Sequence, residues 1–219
     1  MRKFIKKITH PFLRVANKMW LLKPRKYAYK GINVLVHKEV FPPHFTISTK
    51  ILLDFIDDLN LKEKSLLELG CGTGIISLFA ASKGAIVTAT DINDKALEFL
   101  KKASKKNKIP LTILYSDLFS ELNNNYFDFI IINPPYYPKN PKNKKEQAWF
   151  CGEGFEYFHQ LFKQQSERKK DNHIFMILSE DCDLEAIKNI ASFNNFYFQT
   201  VLEKTVLKEK NYIFKVLKM

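Results

Sequence analysis

Asn133-Pro134-Pro135-Tyr136 is the segment of this chain best equipped to do chemistry. An amide or exocyclic amino nitrogen is a poor nucleophile, because its lone pair is delocalised into the adjoining π system. Two acceptors that grip the NH2 group turn the lone pair toward an electrophile. The Asn133 side-chain oxygen and the Pro134 carbonyl supply two acceptors in consecutive residues. Each hydrogen bond is worth about 1 kcal/mol net, and more where water is excluded. Tyr136 offers a face for stacking a planar group, worth about 1 to 3 kcal/mol if that group is a base. The prolines stiffen the turn and set the acceptors before a substrate arrives. Out of context the same residues are only a stiff loop, so the surrounding sequence decides.

That context begins with Leu66-Leu67-Glu68-Leu69-Gly70-Cys71-Gly72-Thr73-Gly74, an apolar strand running into a glycine turn and then a helix. Glycines there let the backbone approach a ligand closely. Glu68 precedes the turn, where a phosphate would be repelled and a cationic ligand attracted. Asp91 ends the next strand, 17 residues after Gly74. A carboxylate at that point can accept hydrogen bonds from both hydroxyls of a ribose. A dinucleotide would use the same contact, but its fingerprint is GxGxxG. Gly70, Gly72 and Gly74 give GxGxG, and a dehydrogenase has no use for Asn-Pro-Pro-Tyr.

The elements that must position these residues are legible as an alternation of short apolar runs with helical periodicity, the pattern of a parallel sheet covered by helices. Strands are predicted at 65–70, 85–90, 111–115, 127–132, 172–178, 196–203 and 211–217, and helices at 47–59, 75–83, 93–106, 155–169 and 182–193. Glu68, Asp91 and Asn133 then share the carboxyl edge of the sheet, where α/β folds bind ligands. The polar run 138–147 reads as an exposed loop, either a mobile lid or a substrate contact. Residues 1–40 read as a basic extension with a short amphipathic helix, packed against the domain in preference to a membrane surface, and 41–219 as the catalytic domain.

The formal charge of +12 is concentrated at the start of the chain. Residues 1–30 carry ten Lys or Arg and no acid, leaving 25 basic against 23 acidic residues in the remainder. That arm suits RNA or a ribosomal surface. Only four of the 35 basic residues are Arg, so skewed composition is a competing explanation. Cys71, Cys151 and Cys182 are too far apart in sequence for a zinc motif, and the five histidines follow no metal spacing, so no metal is expected. With neither a membrane-length apolar run nor a secretory signal, a soluble cytoplasmic protein is expected.

Taken in order, Glu68-Leu-Gly-Cys-Gly-Thr-Gly74, Asp91, Ser116-Asp117-Leu118-Phe119 and Asn133-Pro-Pro-Tyr136 resemble the successive motifs of class I S-adenosylmethionine-dependent methyltransferases with an (N/D)PPY site. The resemblance covers about residues 40–217. It implies a Rossmann-like, seven-stranded α/β sheet, mostly parallel with the last strand antiparallel, and helices on both faces. It implies S-adenosylmethionine as cofactor, with Gly70, Cys71, Gly72 and Gly74 near its methionine part and Asp91 with Ile92 at the ribose. Asp117 with Leu118 would lie at the adenine, and Asn133 would bridge cofactor and target nitrogen. The implied catalytic set is Asn133, Pro134 and Tyr136.

Within the class, Val40-Phe41-Pro42 followed by Ser48-Thr49, and Gly152-Glu-Gly154-Phe155, resemble segments of the HemK-like protein-glutamine methyltransferases. Thr49 then either touches the cofactor or merely starts a helix. Members that modify release factors carry a helical amino-terminal domain, whereas about 40 residues are available here. Compact members often rely on a small partner subunit. The expected substrate is macromolecular: a glutamine amide of a protein such as a translation factor comes first, then an adenine-N6 or guanine-N2 amino group of rRNA or tRNA. A non-catalytic cofactor- or RNA-binding assembly protein is the rival from another class.

Overall fold

A computed structural model describes residues 23–122, 125–168 and 173–219. A seven-stranded sheet forms its centre. In chain order the strands are β3 (Ser65–Leu69), β4 (Ile86–Asp91), β5 (Thr112–Tyr115), β6 (Phe129–Ile132), β7 (His173–Ser179), β8 (Phe196–Val206) and β9 (Glu209–Lys218). Their spatial order is β5-β4-β3-β6-β7-β9-β8. The strands from β5 to β7 are parallel, and β9 inserts antiparallel between β7 and β8. The predicted strands and the antiparallel closing pair are therefore present.

Alternation of side chains builds a core on each face of the sheet. Leu66, Ala89, Ile131, Phe175 and Ile177 pack beneath α1 (Ile47–Asp57), α2 (Ile75–Ser82) and α3 (Asp94–Asn107). Leu67, Leu69, Ile130, Ile132 and Met176 pack against α5 (Glu156–Ser166) and α6 (Leu184–Phe193) on the other side. Central strands buried on both faces must be apolar almost throughout, which is why β3 and β6 stand out in the sequence. One further short helix, α4 (Lys144–Gln147), lies within the polar segment after β6.

Residues 25–36 form an element that the sequence reading had not assigned. The strands β1 (Arg25–Tyr29) and β2 (Ile32–Val36) make an antiparallel hairpin, with Lys30 and Gly31 both at positive φ. That combination matches the twist of a two-residue hairpin turn. Ile32 and Val34 enter the first core, and the Tyr29 hydroxyl donates to Asp54 on α1 at 2.9 Å. Lys30 is paired with Asp57, so this part of the basic arm is tied into the fold. Residues 1–22, including the anticipated amphipathic helix and most of the arm's charge, lie outside the described residues. No described helix is long and apolar enough to cross a membrane.

Candidate active site

The sheet order reverses at β3, whose neighbours β4 and β6 leave the strand ends to opposite sides. A crevice must open there, at the carboxyl ends of the strands. The structure has a cleft of about 430 Å³ at this place, within the range for small-molecule sites. Its walls include Thr49, Glu68, Gly70, Cys71, Gly72, Asp91, Ile92, Asp117, Leu118, Asn133, Pro134 and Tyr136. Five separate stretches of sequence meet in one cavity.

Gly70 has φ of +71° and an exposed position on the cleft, and a Cβ placed there would meet no atom within 4 Å. A side chain at Gly70 would therefore project into the open space of the cleft. Gly74 differs. It is the N-cap of α2, does not line the cleft, and a Cβ on it would overlap the Leu100 side chain of α3. The last glycine of the turn serves close packing of two helices, while the first leaves the cavity open.

Glu68 is buried at the end of β3, where its Oε2 accepts from the Ser77 backbone N–H at 2.9 Å and from the Ser77 hydroxyl. Burial pushes its carboxyl up to about 8, against which these two hydrogen bonds work, and nearby Asp91 adds to the rise. Asp91 is itself raised by burial. Its Oδ2 accepts from Gly72 N–H and its Oδ1 from Asn93 N–H, each at 2.8 Å. Each carboxylate oxygen retains a second acceptor site. Asp91 thus braces the glycine turn while remaining able to take two hydroxyls. Burial also holds the Cys71 thiol well above its ordinary range, so Cys71 is a neutral wall.

Asp117 is exposed at the cleft's far end, with its Oδ2 near the Gln160 amide at 3.4 Å. Leu118 follows at φ of +52° and is buried. Thr49 lies in the first turn of α1, buried, 3.3 Å from the Thr46 hydroxyl, and it lines the cleft; helix start and cavity contact coincide in one residue.

Asn133 and Pro134 follow β6 directly. Among the described residues nothing hydrogen-bonds the Asn133 side-chain amide or the Pro134 carbonyl. Both acceptors are thus uncommitted and border the cavity. Tyr136 is half-buried, its ring 4.8 Å from that of Tyr137 at 55°, and burial raises its hydroxyl far above the usual phenol range. Its hydroxyl stays neutral.

The chain's sequence matches the Methyltransferase small domain family over residues 31–151. The chain belongs to that family. Among its relatives, a Methanocaldococcus jannaschii protein named as a putative protein N5-glutamine methyltransferase is 37% identical over 116 residues, covering 52% of this chain and 56% of that protein. The tRNA1(Val) (adenine(37)-N6)-methyltransferase of a Flavobacteriaceae bacterium is 32% identical over 132 residues, covering 58% and 54%. The chain thus spans about half the length of the curated relatives it matches. Among solved structures, the E. cuniculi Mtq2–Trm112 complex, responsible for methylation of the eRF1 termination factor, aligns with a TM-score of 0.62 at 21% identity, covering 83% of this chain and 99% of that one. At that identity the likeness establishes the class I methyltransferase fold.

The run 138–147, read from sequence as a lid or substrate-contacting loop, does border the cleft, but the individual residues through which this region lines it were not singled out. Tyr137, Lys144, Trp149 and Phe150 all line the cavity, as do Tyr157 and Gln160 of α5. Trp149 packs on Phe41 with ring centroids 4.6 Å apart and the planes tilted by 48°. An apolar Trp-Phe pair closing a lysine-rich run was the available signal. Among the described residues no group of three or more His, Cys, Asp or Glu could hold a metal.

Proposed function

We propose that this protein is an S-adenosylmethionine-dependent N-methyltransferase acting on a planar NH2 nitrogen, foremost the side-chain amide of a protein glutamine. One observation carries the reading: the uncommitted Asn133 amide and Pro134 carbonyl border the same cavity as the Gly70 turn and the Asp91 carboxylate. The residues suit the cofactor. Gly70 leaves room for a backbone-hugging ligand, Asp91 has two acceptor sites left for a ribose, and Glu68 is a buried carboxyl with no cationic partner among the described residues. A ligand bearing an ammonium and a sulfonium supplies the positive charge that such a site lacks. When bound, the cofactor supplies an electrophilic methyl group.

The chain's own contribution is orientation. Asn133 and Pro134 accept the two N–H bonds of the target and turn its lone pair into the cavity. Tyr136 covers the plane of the group, and the aromatic wall around it excludes water, which strengthens both hydrogen bonds. The M. jannaschii relative supports glutamine as acceptor. A second reading, an amino group of an RNA base, is favoured by the tRNA adenine-N6 relative and by the ten basic residues of positions 1–30. A small partner subunit belongs to the proposal as well, since the E. cuniculi protein of like fold stands in a two-protein complex.

The test is transfer of radiolabelled methyl from S-adenosylmethionine into an extract of cells lacking the enzyme, with the product divided between protease and ribonuclease. Label lost only to protease supports glutamine, and label lost only to ribonuclease supports RNA. No transfer to either, with cofactor binding intact, overturns the methyltransferase reading in favour of a binding protein.

A further inference from the structure

The segment 138–150, between the Asn-Pro-Pro-Tyr turn and the Cys151 turn, is anchored on both banks of the cleft. Its two ends are drawn together: Tyr137 N–H donates to the Trp149 carbonyl at 3.2 Å, Cys151 N–H to the Tyr137 carbonyl at 3.0 Å, and Gly152 N–H to the Lys139 carbonyl at 3.1 Å. The middle is folded on itself. Asn143 caps α4 by accepting from Glu146 N–H at 3.1 Å, and the Glu146 carboxylate accepts from Lys142 N–H at 2.9 Å. On one bank Trp149 packs on Phe41, which precedes α1. On the opposite bank the Lys144 ammonium pairs with Asp94 of α3 at 2.8 Å and lies 5.5 Å from the Tyr115 ring centre, at the end of β5. Lys144 and Trp149 both line the cavity, and Lys144 lies on the side of Asp91.

We propose that residues 138–150 form a closed clasp over the nucleoside half of the cleft, with Lys144 and Trp149 as its two fastenings, so that bound cofactor leaves only when the clasp lifts. This inference rests on the reading of the cleft as an S-adenosylmethionine site. A segment held at its ends by main-chain bonds, and across the cavity by one ion pair and one aromatic contact, opens as a unit about its ends. Methyltransferase product contains the same nucleoside as the cofactor, so the clasp governs product release as well, a step that commonly limits turnover.

The two fastenings differ in strength and in kind. The Lys144 and Asp94 side chains are 50% and 74% exposed, so the ion pair is weakly stabilising and screened by salt. The Trp149–Phe41 contact is apolar, and salt leaves it in place. Lys144→Ala is therefore expected to raise the dissociation rate of the nucleoside about two- to five-fold at low salt. Trp149→Ala is expected to raise it about ten-fold at any salt.

The experiment is a chase of bound radiolabelled S-adenosylhomocysteine with excess unlabelled compound, run on the full chain and both variants at 20 mM and 500 mM salt. Faster release from both variants, with the Lys144→Ala difference vanishing at high salt because the parent rate rises to meet it, supports the clasp. Release rates equal to the parent's in both variants overturn it. Failure of the parent chain to bind S-adenosylhomocysteine at all would instead refute the cofactor reading. Circular dichroism melts confirm that each variant is folded before rates are compared.

Discussion

Glu68 and Ser77 are joined by two hydrogen bonds to a single carboxyl oxygen, one from the backbone and one from the hydroxyl, at a point where neither residue is open to solvent. The pair links the end of β3 to the first turn of α2 across the glycine turn. Holding Glu68 this way fixes its position but does not offset its desolvation. Desolvation still dominates, and the carboxyl is held up to about 8. The consequence is a proton retained in the folded chain at pH values where an unfolded glutamate has lost it.

The sign of the pH effect follows. Between about 4.5 and about 8 the native state binds more protons at Glu68 than the unfolded state does, so Glu68 makes stability fall as pH rises through that window. Below about 4.5 both states are protonated and the contribution is constant. Glu68→Gln, which stays neutral, should flatten this part of the profile. Thermal melts of parent and variant from pH 5 to pH 8.5 should show a difference in Tm that grows with pH in favour of the variant, reaching at least about 2 °C. A difference that is constant with pH would refute the raised carboxyl.

Asn133→Ala removes one of the two acceptors proposed for the reacting nitrogen, while the contacts proposed for Asp91 and Gly70 with the cofactor remain. Turnover should fall by at least about 100-fold, with the cofactor Kd changed no more than a few fold. Single-turnover rates and calorimetric titration of S-adenosylhomocysteine measure the two quantities separately. Near-normal turnover would rule out the orienting mechanism.

Asp91→Ala reverses that division. The carboxylate holds the N–H groups of Gly72 and Asn93 as well as the two acceptor sites left for ribose hydroxyls. Its loss both disorders the bracing of the glycine turn and deletes ligand contacts. Cofactor affinity should weaken about 100-fold by calorimetry, given roughly 1.5 kcal/mol for each charge-assisted hydrogen bond. An unchanged Kd would place the ribose elsewhere.

How much of this was legible in sequence differs by element, for physical reasons. The strands β3 and β6 were found because a strand buried on both faces must be apolar, and Asp91 was found because a carboxylate at the carboxyl edge of such a sheet sits where α/β folds bind ligands. The hairpin β1–β2 was hidden because Arg25, Lys26 and Lys30 drew attention to charge, while its buried residues Ile32, Val34 and Val36 sit in the second strand alone. Trp149 was missed because its partner Phe41 lies more than 100 residues away, and nothing local records that contact. Lys144 was one lysine in a polar run until the fold set it beside Asp94. The spacing GxGxG likewise did not reveal that its glycines have different tasks.

That difference gives the last prediction. Gly70 and Gly74 share a positive φ, so alanine at either pays about 1 kcal/mol of backbone strain. At Gly70 the new methyl group meets no protein atom and projects into the cleft, so Gly70→Ala should cost little more in stability but reduce affinity for S-adenosylhomocysteine at least about ten-fold. At Gly74 the methyl overlaps Leu100, whose side chain is fully buried between α3 and the sheet and has no room to retreat. Gly74→Ala should therefore lose about 2 to 4 kcal/mol of stability, while the protein that remains folded binds with near-parental affinity. Urea denaturation and calorimetry on the two variants test the split. If Gly70→Ala were the less stable and Gly74→Ala the weaker binder, the assignment of ligand contact and helix packing within the turn would be reversed.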